Sequence, residues 1–249
     1  MSFRFKQFFI EDSKCAMKVG TDGVLLGAWA PISDFKFQVS NFRILDIGTG
    51  SGLIARMLMQ RCPKAEVEGI DIDEAAVEQA KENGVNAFHS SLQEWKANGQ
   101  WTMDNGQLYD FIVSNPPYFQ NSLKNPDKGR QTARHTDTLS YEELVKHSAR
   151  LLRADGQLAL ILPAEAETEV RALAAQYDLY CSRVTRVYSK AQKPVRRVLL
   201  CFAKLKISDF LSLRNDYFRF QILEDTLILE DDKGGRSLQY QELTKDFYL

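Results

Sequence analysis

A glycine-rich turn between an apolar strand and a helix constrains the fold of this chain more than any other feature. The mostly apolar run over residues 43–47 leads into Gly48-Thr49-Gly50-Ser51-Gly52, and apolar residues then recur at helical spacing over residues 53–58. Glycines allow the backbone to turn tightly and to approach a bound molecule at the start of the helix. The segment predicts the first strand, loop and helix of a nucleotide-binding α/β sheet.

Two acidic residues near this turn indicate which cofactor binds. Asp71 ends a second strand about twenty residues further on, where a carboxylate can accept both hydroxyls of a ribose. A nicotinamide site has the spacing G-x-G-x-x-G and holds a pyrophosphate at the helix start, whereas the spacing here is G-x-G-x-G with Asp46 just before it. That carboxylate would repel a pyrophosphate but suits the ammonium group of S-adenosylmethionine. On its own, the turn leaves a nicotinamide site or a purely structural turn open.

A second motif follows another apolar strand, residues 110–114, and reads Asn115-Pro116-Pro117-Tyr118. The side-chain amide oxygen of Asn115 and the backbone carbonyl of Pro116 are two acceptors that can take both hydrogens of a planar NH2 group. Consecutive prolines restrict the loop backbone, so the acceptors are positioned in advance, and Tyr118 adds a flat face for stacking. Alone, the tetrapeptide could be a proline-stiffened turn. Together with the glycine turn and Asp71, it predicts methylation of an amino group.

Composition limits the remaining possibilities. A chain of 249 residues with 44% hydrophobic and 26% charged residues can bury one substantial core, or one core with a small appendage. We expect a soluble, cytoplasmic protein, because we find neither an apolar stretch that could span a bilayer nor a secretory signal. The four cysteines are far apart, which predicts packed, reduced thiols rather than disulfides or a zinc knuckle. No metal site and no obligate protein partner are predicted.

The order of apolar segments predicts one Rossmann-like α/β domain over residues 43–249, preceded by an extension or lid over residues 1–42. We expect a seven-stranded, mostly parallel sheet with helices on both faces and an antiparallel hairpin at one edge. Residues 220–232 suggest a further, terminal hairpin. The four phenylalanines of the extension, Phe3, Phe5, Phe8 and Phe9, either pack into the core or stack on unpaired bases.

These motifs resemble the class I S-adenosylmethionine-dependent methyltransferases that carry an N/D-P-P-Y/F/W loop. The chain is more closely similar to the bacterial tRNA1(Val) adenine N6-methyltransferases, which modify the adenine immediately 3′ of the anticodon. Four further blocks carry that similarity: residues 3–8, 16–29, 134–137 and 243–249. The resemblance implies transfer of a methyl group from S-adenosylmethionine to the exocyclic N6 of that adenine in tRNA.

The motifs and the resemblance together give a set of expected site residues. The expected catalytic residues are Asn115, Pro116, Pro117 and Tyr118. The expected cofactor contacts are Lys18, Thr21 and Asp22 in the lid, then Asp46, Gly48, Gly50, Gly52, Asp71, Ile72, Ser91, Leu92 and Asn115. Many relatives of the fold place an Asp in the turn that Ser90 and Ser91 occupy here, so the contact of Ser91 and Leu92 with the cofactor adenine stays open.

Local charge indicates an RNA partner, although the net charge is only −1. Residues 183–197 contain six basic residues and no acid: Arg183, Arg186, Lys190, Lys193, Arg196 and Arg197. A second cluster is Lys124, Lys128, Arg130, Arg134 and His135, and a third is Arg4, Lys6, Lys14 and Lys18. Any one cluster could be a solvated face, but three that reach one side of the sheet favour a phosphate backbone. His135 is an alternative general base.

Three other functions stay open at this point. The first is methylation of a glutamine N5 in a protein such as a release factor, which uses the same loop but is associated with a longer helical domain than residues 1–42 allow. The second is methylation of guanine N2 in ribosomal RNA, for which a duplicated methyltransferase half would be typical. The third is a non-catalytic RNA-binding or chaperone module that retains the fold.

Overall fold

An eight-stranded sheet forms the centre of the part of the chain that the computed structural model describes, which is residues 2–32, 42–95, 108–117, 139–205 and 222–248. Its strands are β3 (Arg43–Ile47), β4 (Glu66–Asp71), β5 (Asn86–His89), β6 (Tyr109–Ser114), β7 (Leu152–Pro163), β8 (Leu179–Tyr188), β9 (Val195–Lys204) and β10 (Leu223–Ile228). They lie in the order β10-β8-β9-β7-β6-β3-β4-β5. A separate antiparallel pair, β1 (Ser2–Arg4) and β2 (Phe9–Glu11), precedes them.

Helices cover both faces of this sheet. They are α1 (Thr21–Trp29), α2 (Leu53–Arg61), α3 (Glu74–Glu82), α4 (Tyr141–Leu151), α5 (Glu167–Ala175) and α6 (Leu238–Thr244), with one 3-10 turn at Ala164–Ala166. Side chains of α1, α2, α3 and α6 share one apolar core with the sheet, and those of α4 and α5 share the other. Strand β3 is buried along its whole length because it lies between these two layers.

The parallel strands place their carboxyl ends at one edge of the sheet. Strand β3 pairs in parallel with both β4 and β6, so Ile47 lies beside Ile70 on one side and Ser114 on the other. Strand β9 runs in the opposite direction, and its Arg197 pairs with Pro163 at the end of β7. The edge at which these parallel strands end, called the carboxyl edge below, therefore also receives the beginning of β9.

The fold class is confirmed, with two corrections of detail. The described part of the sheet has eight strands rather than seven, because β10 pairs in parallel with β8 outside the antiparallel pair β8 and β9. The terminal hairpin predicted over residues 220–232 is wrong for the described part of that range, residues 222–232, which contributes the single strand β10. Apolar spacing identifies a strand but not its partner. Here Leu227 is buried in the core, and acidic side chains of β10 pair with arginines of β8.

A third apolar cluster joins the two ends of the described chain. Phe5, Phe8 and Ile10 pack with Phe247 and with side chains of α1 and α2. Phe9 points outward with 59% of its surface exposed, so core packing accounts for Phe5 and Phe8 but not for Phe9. The prediction of packed thiols is confirmed, because all four cysteines are buried. Within the described ranges, no helix has both the length and the hydropathy needed to cross a membrane.

Candidate active site

Three loops leave neighbouring strands at the carboxyl edge and form the candidate site. The glycine turn follows β3, Asp71 ends β4, and Asn115 follows β6. The buried hydroxyl of Ser114 donates a hydrogen bond of 2.8 Å to the carbonyl oxygen of Ile47. This bond ties the start of the Asn115 loop to the start of the glycine turn. The tertiary structure thus brings together motifs that are roughly seventy residues apart along the chain, as the βαβ order requires.

The glycine turn has the conformation that its composition predicts. Gly48, Gly50 and Gly52 have φ angles of 69°, 54° and 80°, in the left-handed region that favours glycine. A side chain built at Gly48 or Gly50 would meet nothing within 4 Å, whereas one at Gly52 would approach Val85 to 2.7 Å. The turn therefore presents open backbone at Gly48 and Gly50, while Gly52 is required for the close packing beneath the start of α2.

Asp46 lies beneath this turn rather than on its surface. Its carboxylate is fully buried, and Oδ2 accepts hydrogen bonds from the Thr49 hydroxyl at 2.8 Å and from the Ala55 N–H at 3.2 Å. Burial raises the pKa of Asp46 to about 7, although these two hydrogen bonds act in the opposite direction. Among the described residues, Oδ1 has no hydrogen-bond partner. Asp46 thus shapes the turn, and its contact with an ammonium group stays a prediction.

Asp71 is held in place by the backbone around it. Its Oδ2 accepts a hydrogen bond of 2.9 Å from the Gly50 N–H, and its Oδ1 accepts one of 3.0 Å from the Asp73 N–H. Each carboxylate oxygen has a second lone pair, so the side chain can still accept hydroxyl groups. The next residue, Ile72, is 59% exposed, and its carbonyl oxygen lies 3.0 Å from His89 Nε2. An immobilised acid beside an exposed apolar side chain fits a ribose and an adjoining adenine ring.

The turn after β5 is less suited to an adenine contact through side chains. The Ser91 hydroxyl donates to Glu94 Oε2 at 3.1 Å, and the Leu92 side chain is 97% buried in the core formed with α4 and α5. Contacts of Ser91 and Leu92 with the cofactor adenine stay predictions.

The Asn115 loop begins where its motif predicts. Asn115 is partly exposed, Pro116 is buried and Pro117 is exposed. The buried prolyl ring holds the backbone next to Asn115, which keeps that side chain and the Pro116 carbonyl close together. Tyr118 lies outside the described residues. So do Lys124, Lys128, Arg130, Arg134 and His135, the complete second basic cluster.

The expected lid residues hold the protein's own chain together. Lys18 donates from Nζ to the carbonyl oxygens of Asp12 and Cys15, both at 2.8 Å. Thr21 is the first residue of α1, and the Asp22 carboxylate pairs with Nε of Arg197 at 2.9 Å. The ion pair connects the start of α1 to the start of β9 at the carboxyl edge. Direct contacts of Lys18, Thr21 and Asp22 with a cofactor stay predictions.

The basic residues of 183–197 separate into two groups. Arg183 pairs with Asp225 at 2.9 Å, and Arg186 pairs with Glu224 and Glu167, both at 2.8 Å. Lys190 and Lys193 lie in the turn between β8 and β9, at the carboxyl edge, and Lys190 is 3.8 Å from Glu230. Lys193 and Arg196 are exposed, and within the described chain no carboxylate pairs with either one.

The third basic cluster is also engaged within the protein. Lys14 pairs with Glu82 at 2.7 Å and with Glu78 at 3.5 Å, Lys6 donates to the Lys245 carbonyl at 2.6 Å, and the Arg4 guanidinium lies 5.6 Å from the centre of the Phe9 ring. Contacts of these residues with RNA stay predictions.

Comparisons with known proteins show the family to which the chain belongs. The family model described as "Methyltransferase small domain" matches residues 32–179. A tRNA1(Val) (adenine(37)-N6)-methyltransferase of Bacteroides fragilis is 42% identical, with 99% of this chain and 97% of that one covered. The enzyme of the same name from Bacteroides thetaiotaomicron is 40% identical over the same shares of the two chains. The chain belongs to the tRNA1(Val) (adenine(37)-N6)-methyltransferase family.

Solved structures support the fold of this family member independently. A structure from Agrobacterium tumefaciens, described as that of a predicted O-methyltransferase, superposes with a TM-score of 0.62 at 16% identity and covers 90% of this chain and 96% of its own. That likeness concerns the fold alone. No group of three or more His, Cys, Asp or Glu side chains within the described ranges is placed to hold a metal ion.

Two residues of the site were not foreseen from the sequence. Asn83 donates to the Ser51 carbonyl in the glycine turn, and Gln79 accepts hydrogen bonds from residues 13 and 14. In the sequence, Gln79 is one of several polar residues on a helix, and Asn83 before Gly84 is a common helix ending. Neither pattern indicates contacts with segments 32 to 66 residues away.

Proposed function

We propose that the protein transfers a methyl group from S-adenosylmethionine to the exocyclic N6 of an adenine in tRNA, and that its target is the adenine beside the anticodon of tRNA1(Val). The observation that carries this proposal is the position of the Asn115-Pro116 loop, which the Ser114–Ile47 hydrogen bond holds next to an open glycine turn. Relatives with this activity in their names align over 99% of the chain. Because the alignments cover nearly all of both chains, they support the same class of substrate for this protein.

The residues at the carboxyl edge fit S-adenosylmethionine. Asp71 would accept the ribose hydroxyls, Ile72 would cover one face of the adenine, and the open backbone at Gly48 and Gly50 would lie against the methionine part. The cofactor supplies a methyl group on a positively charged sulfur. Asp46, whose Oδ1 has no hydrogen-bond partner in the described chain, adds an acceptor beneath the turn.

Asn115 and Pro116 would act on the target amine. The lone pair of an exocyclic adenine nitrogen is delocalised into the ring, so the amine is a weak nucleophile. If Asn115 Oδ1 and the Pro116 carbonyl each accept one of its hydrogens, the nitrogen can become more pyramidal and its lone pair can point towards the methyl group. Positioning of this kind can supply roughly 7 to 11 kcal/mol of the barrier. The released proton would leave through the same two acceptors to water, so a separate general base is not required.

The RNA would approach across the carboxyl edge. The exposed side chains of Lys193 and Arg196 lie at this edge and could contact phosphates. We also propose that residues 1–42 contribute to the RNA surface, because the exposed Phe9 with Arg4 over its ring offers a stacking face. A target in the anticodon loop would cost less to unstack than one in a duplex. Action on tRNA would place the protein in the cytoplasm.

The test is to incubate the protein with labelled S-adenosylmethionine and total RNA from cells that lack the enzyme, and then to map the modified nucleoside. We expect N6-methyladenosine next to the anticodon of tRNA1(Val). Label in protein would instead support glutamine methylation, and label in guanine of ribosomal RNA would support the second alternative. A protein that binds no S-adenosylmethionine would contradict the proposal as a whole.

A further inference from the structure

Helix α3 and its C-cap residue, Asn83, carry two amide side chains that face the N-terminal segment, residues 11–19. Gln79 is 99% buried, and its Oε1 accepts hydrogen bonds from the Ser13 hydroxyl and the Lys14 N–H, both at 3.2 Å. Asn83 follows four residues later and lies on the same side of the helix. Gln79 and Asn83 are called the amide pair below.

Asn83 connects two parts of the site that are distant in sequence. Its Oδ1 accepts a hydrogen bond of 3.0 Å from the Glu11 N–H, and its Nδ2 donates to the Glu11 carbonyl at 2.8 Å. The same Nδ2 donates to the Ser51 carbonyl at 2.7 Å. One side chain therefore uses its oxygen and both of its N–H groups to hold the end of β2 against the glycine turn.

Hydrogen bonds within residues 12–19 hold the rest of the N-terminal segment together. The Asp12 carboxylate accepts from the Val19 N–H at 3.0 Å, and Lys18 donates to the Asp12 and Cys15 carbonyls. These bonds fold residues 12–19 into one unit, which leads directly into α1. If residues 11–14 shift relative to α3, we expect this unit to move with them.

Helix α3 starts beside Asp71, the residue proposed to bind the ribose. Its N-cap residue, Asp73, donates its backbone N–H to the Asp71 carboxylate at 3.0 Å. The amide pair thus joins three parts that surround the proposed donor site: the helix after Asp71, the glycine turn through Ser51, and the N-terminal segment through Glu11, Ser13 and Lys14.

We infer that Gln79 and Asn83 are positioning residues for S-adenosylmethionine binding, which hold the N-terminal segment and the glycine turn at the spacing that the donor requires. The inference rests on the proposed function and adds to it a determinant of donor affinity. The amide pair does not touch Asn115, Pro116 or the target amine. Its loss should therefore weaken donor binding while leaving the chemical step nearly unchanged.

The main test is Asn83→Ala. We expect the Kd for S-adenosylmethionine, measured by calorimetry on the complete protein, to rise about tenfold, because three hydrogen bonds around the donor site are lost. The KM for the donor should rise by a similar factor, and kcat with tRNA should change by less than about threefold.

Two further variants separate positioning from a general loss of stability. Asn83→Asp retains the acceptor for Glu11 N–H but places a carboxylate oxygen against the Glu11 and Ser51 carbonyls, so it should weaken donor binding at least as much as Asn83→Ala. Gln60→Ala is the matched control, because Gln60 Nε2 also donates to a backbone carbonyl, that of Asp246, but near the far end of α2. It should leave the donor Kd unchanged even if it lowers Tm.

The outcomes distinguish a failure of the positioning inference from a failure of the proposed function. A wild-type protein that binds S-adenosylmethionine, with an Asn83→Ala variant that binds it equally well, would overturn the inference alone. Equal losses of affinity in Asn83→Ala and Gln60→Ala would also overturn it, because stability would then explain both. A wild-type protein without donor binding would overturn the proposed function and the inference together. If Asn83→Ala does not fold, Gln79→Ala decides by the same criteria, with an expected rise in Kd of about threefold.

Discussion

At the scale of single residues, hydrogen bonds within the protein fix the surroundings of the two proposed site residues Asn115 and Asp71 before a ligand binds. Asn115 follows a buried strand end that is bonded to Ile47, and Asp71 is bonded to two backbone N–H groups before any ligand arrives. Preorganisation of this kind lowers the cost of alignment during the reaction. Changes to these residues should therefore affect separate steps, namely binding for Asp71 and turnover for Asn115.

Replacement of Asn115 by Ala should lower kcat by about 100-fold to 1,000-fold, which is the cost typical of removing one preorganised hydrogen-bonding group at a reacting centre. The Kd for S-adenosylmethionine should change little. Single-turnover methylation of tRNA and calorimetry measure the two quantities. Asn86→Ala, an exposed asparagine at the opposite end of the sheet, is the matched control. Methyl transfer by the Asn115→Ala variant at the wild-type rate would refute the catalytic assignment.

The raised pKa of Asp46 predicts how stability changes with pH. Its pKa in the folded protein is about 7, against an ordinary value of 3.8, so the folded state holds this proton more tightly than the unfolded chain. The stabilisation that this proton gives the folded state is fully present below about pH 4 and is lost as the pH rises through about 7. Over that range the free energy of unfolding falls by up to roughly 1.4 kcal/mol per pH unit. The cofactor-free Asp46→Asn variant should lack this decline.

Urea unfolding of wild type and Asp46→Asn at about pH 5 and about pH 8 measures the difference. The free energy of unfolding of the wild type should fall relative to that of the variant at the higher pH. Parallel changes in the two proteins would show that Asp46 does not hold a proton in the folded state.

At the scale of elements, a buried polar network joins β3, β4 and β6 away from the site. Arg43 on β3 pairs with Glu68 on β4 at 2.9 Å, and the Tyr109 hydroxyl on β6 donates to the same carboxylate at 2.6 Å. The Trp95 indole N–H completes the network by donating to Tyr109 at 3.2 Å. Burial and the Glu68 carboxylate raise the pKa of Tyr109. These bonds hold together the three strands whose opposite ends carry the site.

Replacement of Tyr109 by Phe should destabilise the protein by about 1 to 3 kcal/mol, because it leaves a buried indole N–H without an acceptor and removes a donor from Glu68. Chemical denaturation measures this loss, and the KM for S-adenosylmethionine should stay close to the wild-type value. Tyr177→Phe is the matched control, since its hydroxyl bonds to Glu142 at an exposed position, and its loss should change the stability much less than the loss of the buried Tyr109 hydroxyl. A comparable effect of both variants would contradict the role of the network.

At the scale of the whole molecule, ion pairs engage several of the basic side chains in the described part of the chain. Ion pairs with β10 and α5 engage Arg183 and Arg186, and Asp22 engages Arg197. Lys193, exposed in the turn between β8 and β9, and Arg196, exposed at the start of β9, lie on the side where Asn115 emerges. We therefore propose Lys193 and Arg196 as contacts for tRNA phosphates.

The double variant Lys193→Ala/Arg196→Ala should weaken tRNA binding and lower the slope of log K against log salt by about two units, one for each lost phosphate contact. Binding titrations at several salt concentrations measure both effects. Lys64→Ala, an exposed lysine in the connection that precedes β4, is the control and should leave the slope unchanged. An unaltered slope in the double variant would place the RNA on another surface.

Local patterns in the sequence determined the strand, turn and helix around Gly48, the acid at Asp71 and the start of the Asn115 loop. Each of these features depends on neighbouring residues, because backbone conformation and strand burial are local properties. The same patterns could not assign partners to charged groups. Arg183 and Arg186 stand in a stretch without acids. Both pair with carboxylates of β10, about forty residues further along the chain, and Arg186 also pairs with a carboxylate of α5.

Only the tertiary structure decided the parallel pairing of β10, the position of Asp46 beneath the turn and the contacts of the amide pair. These depend on segments that are distant in sequence and meet only after the sheet has formed, so no spacing along the chain encodes them. Asn83 illustrates the difference. In the sequence it is a helix ending before Gly84, and in the folded protein it joins residue 11 to residue 51.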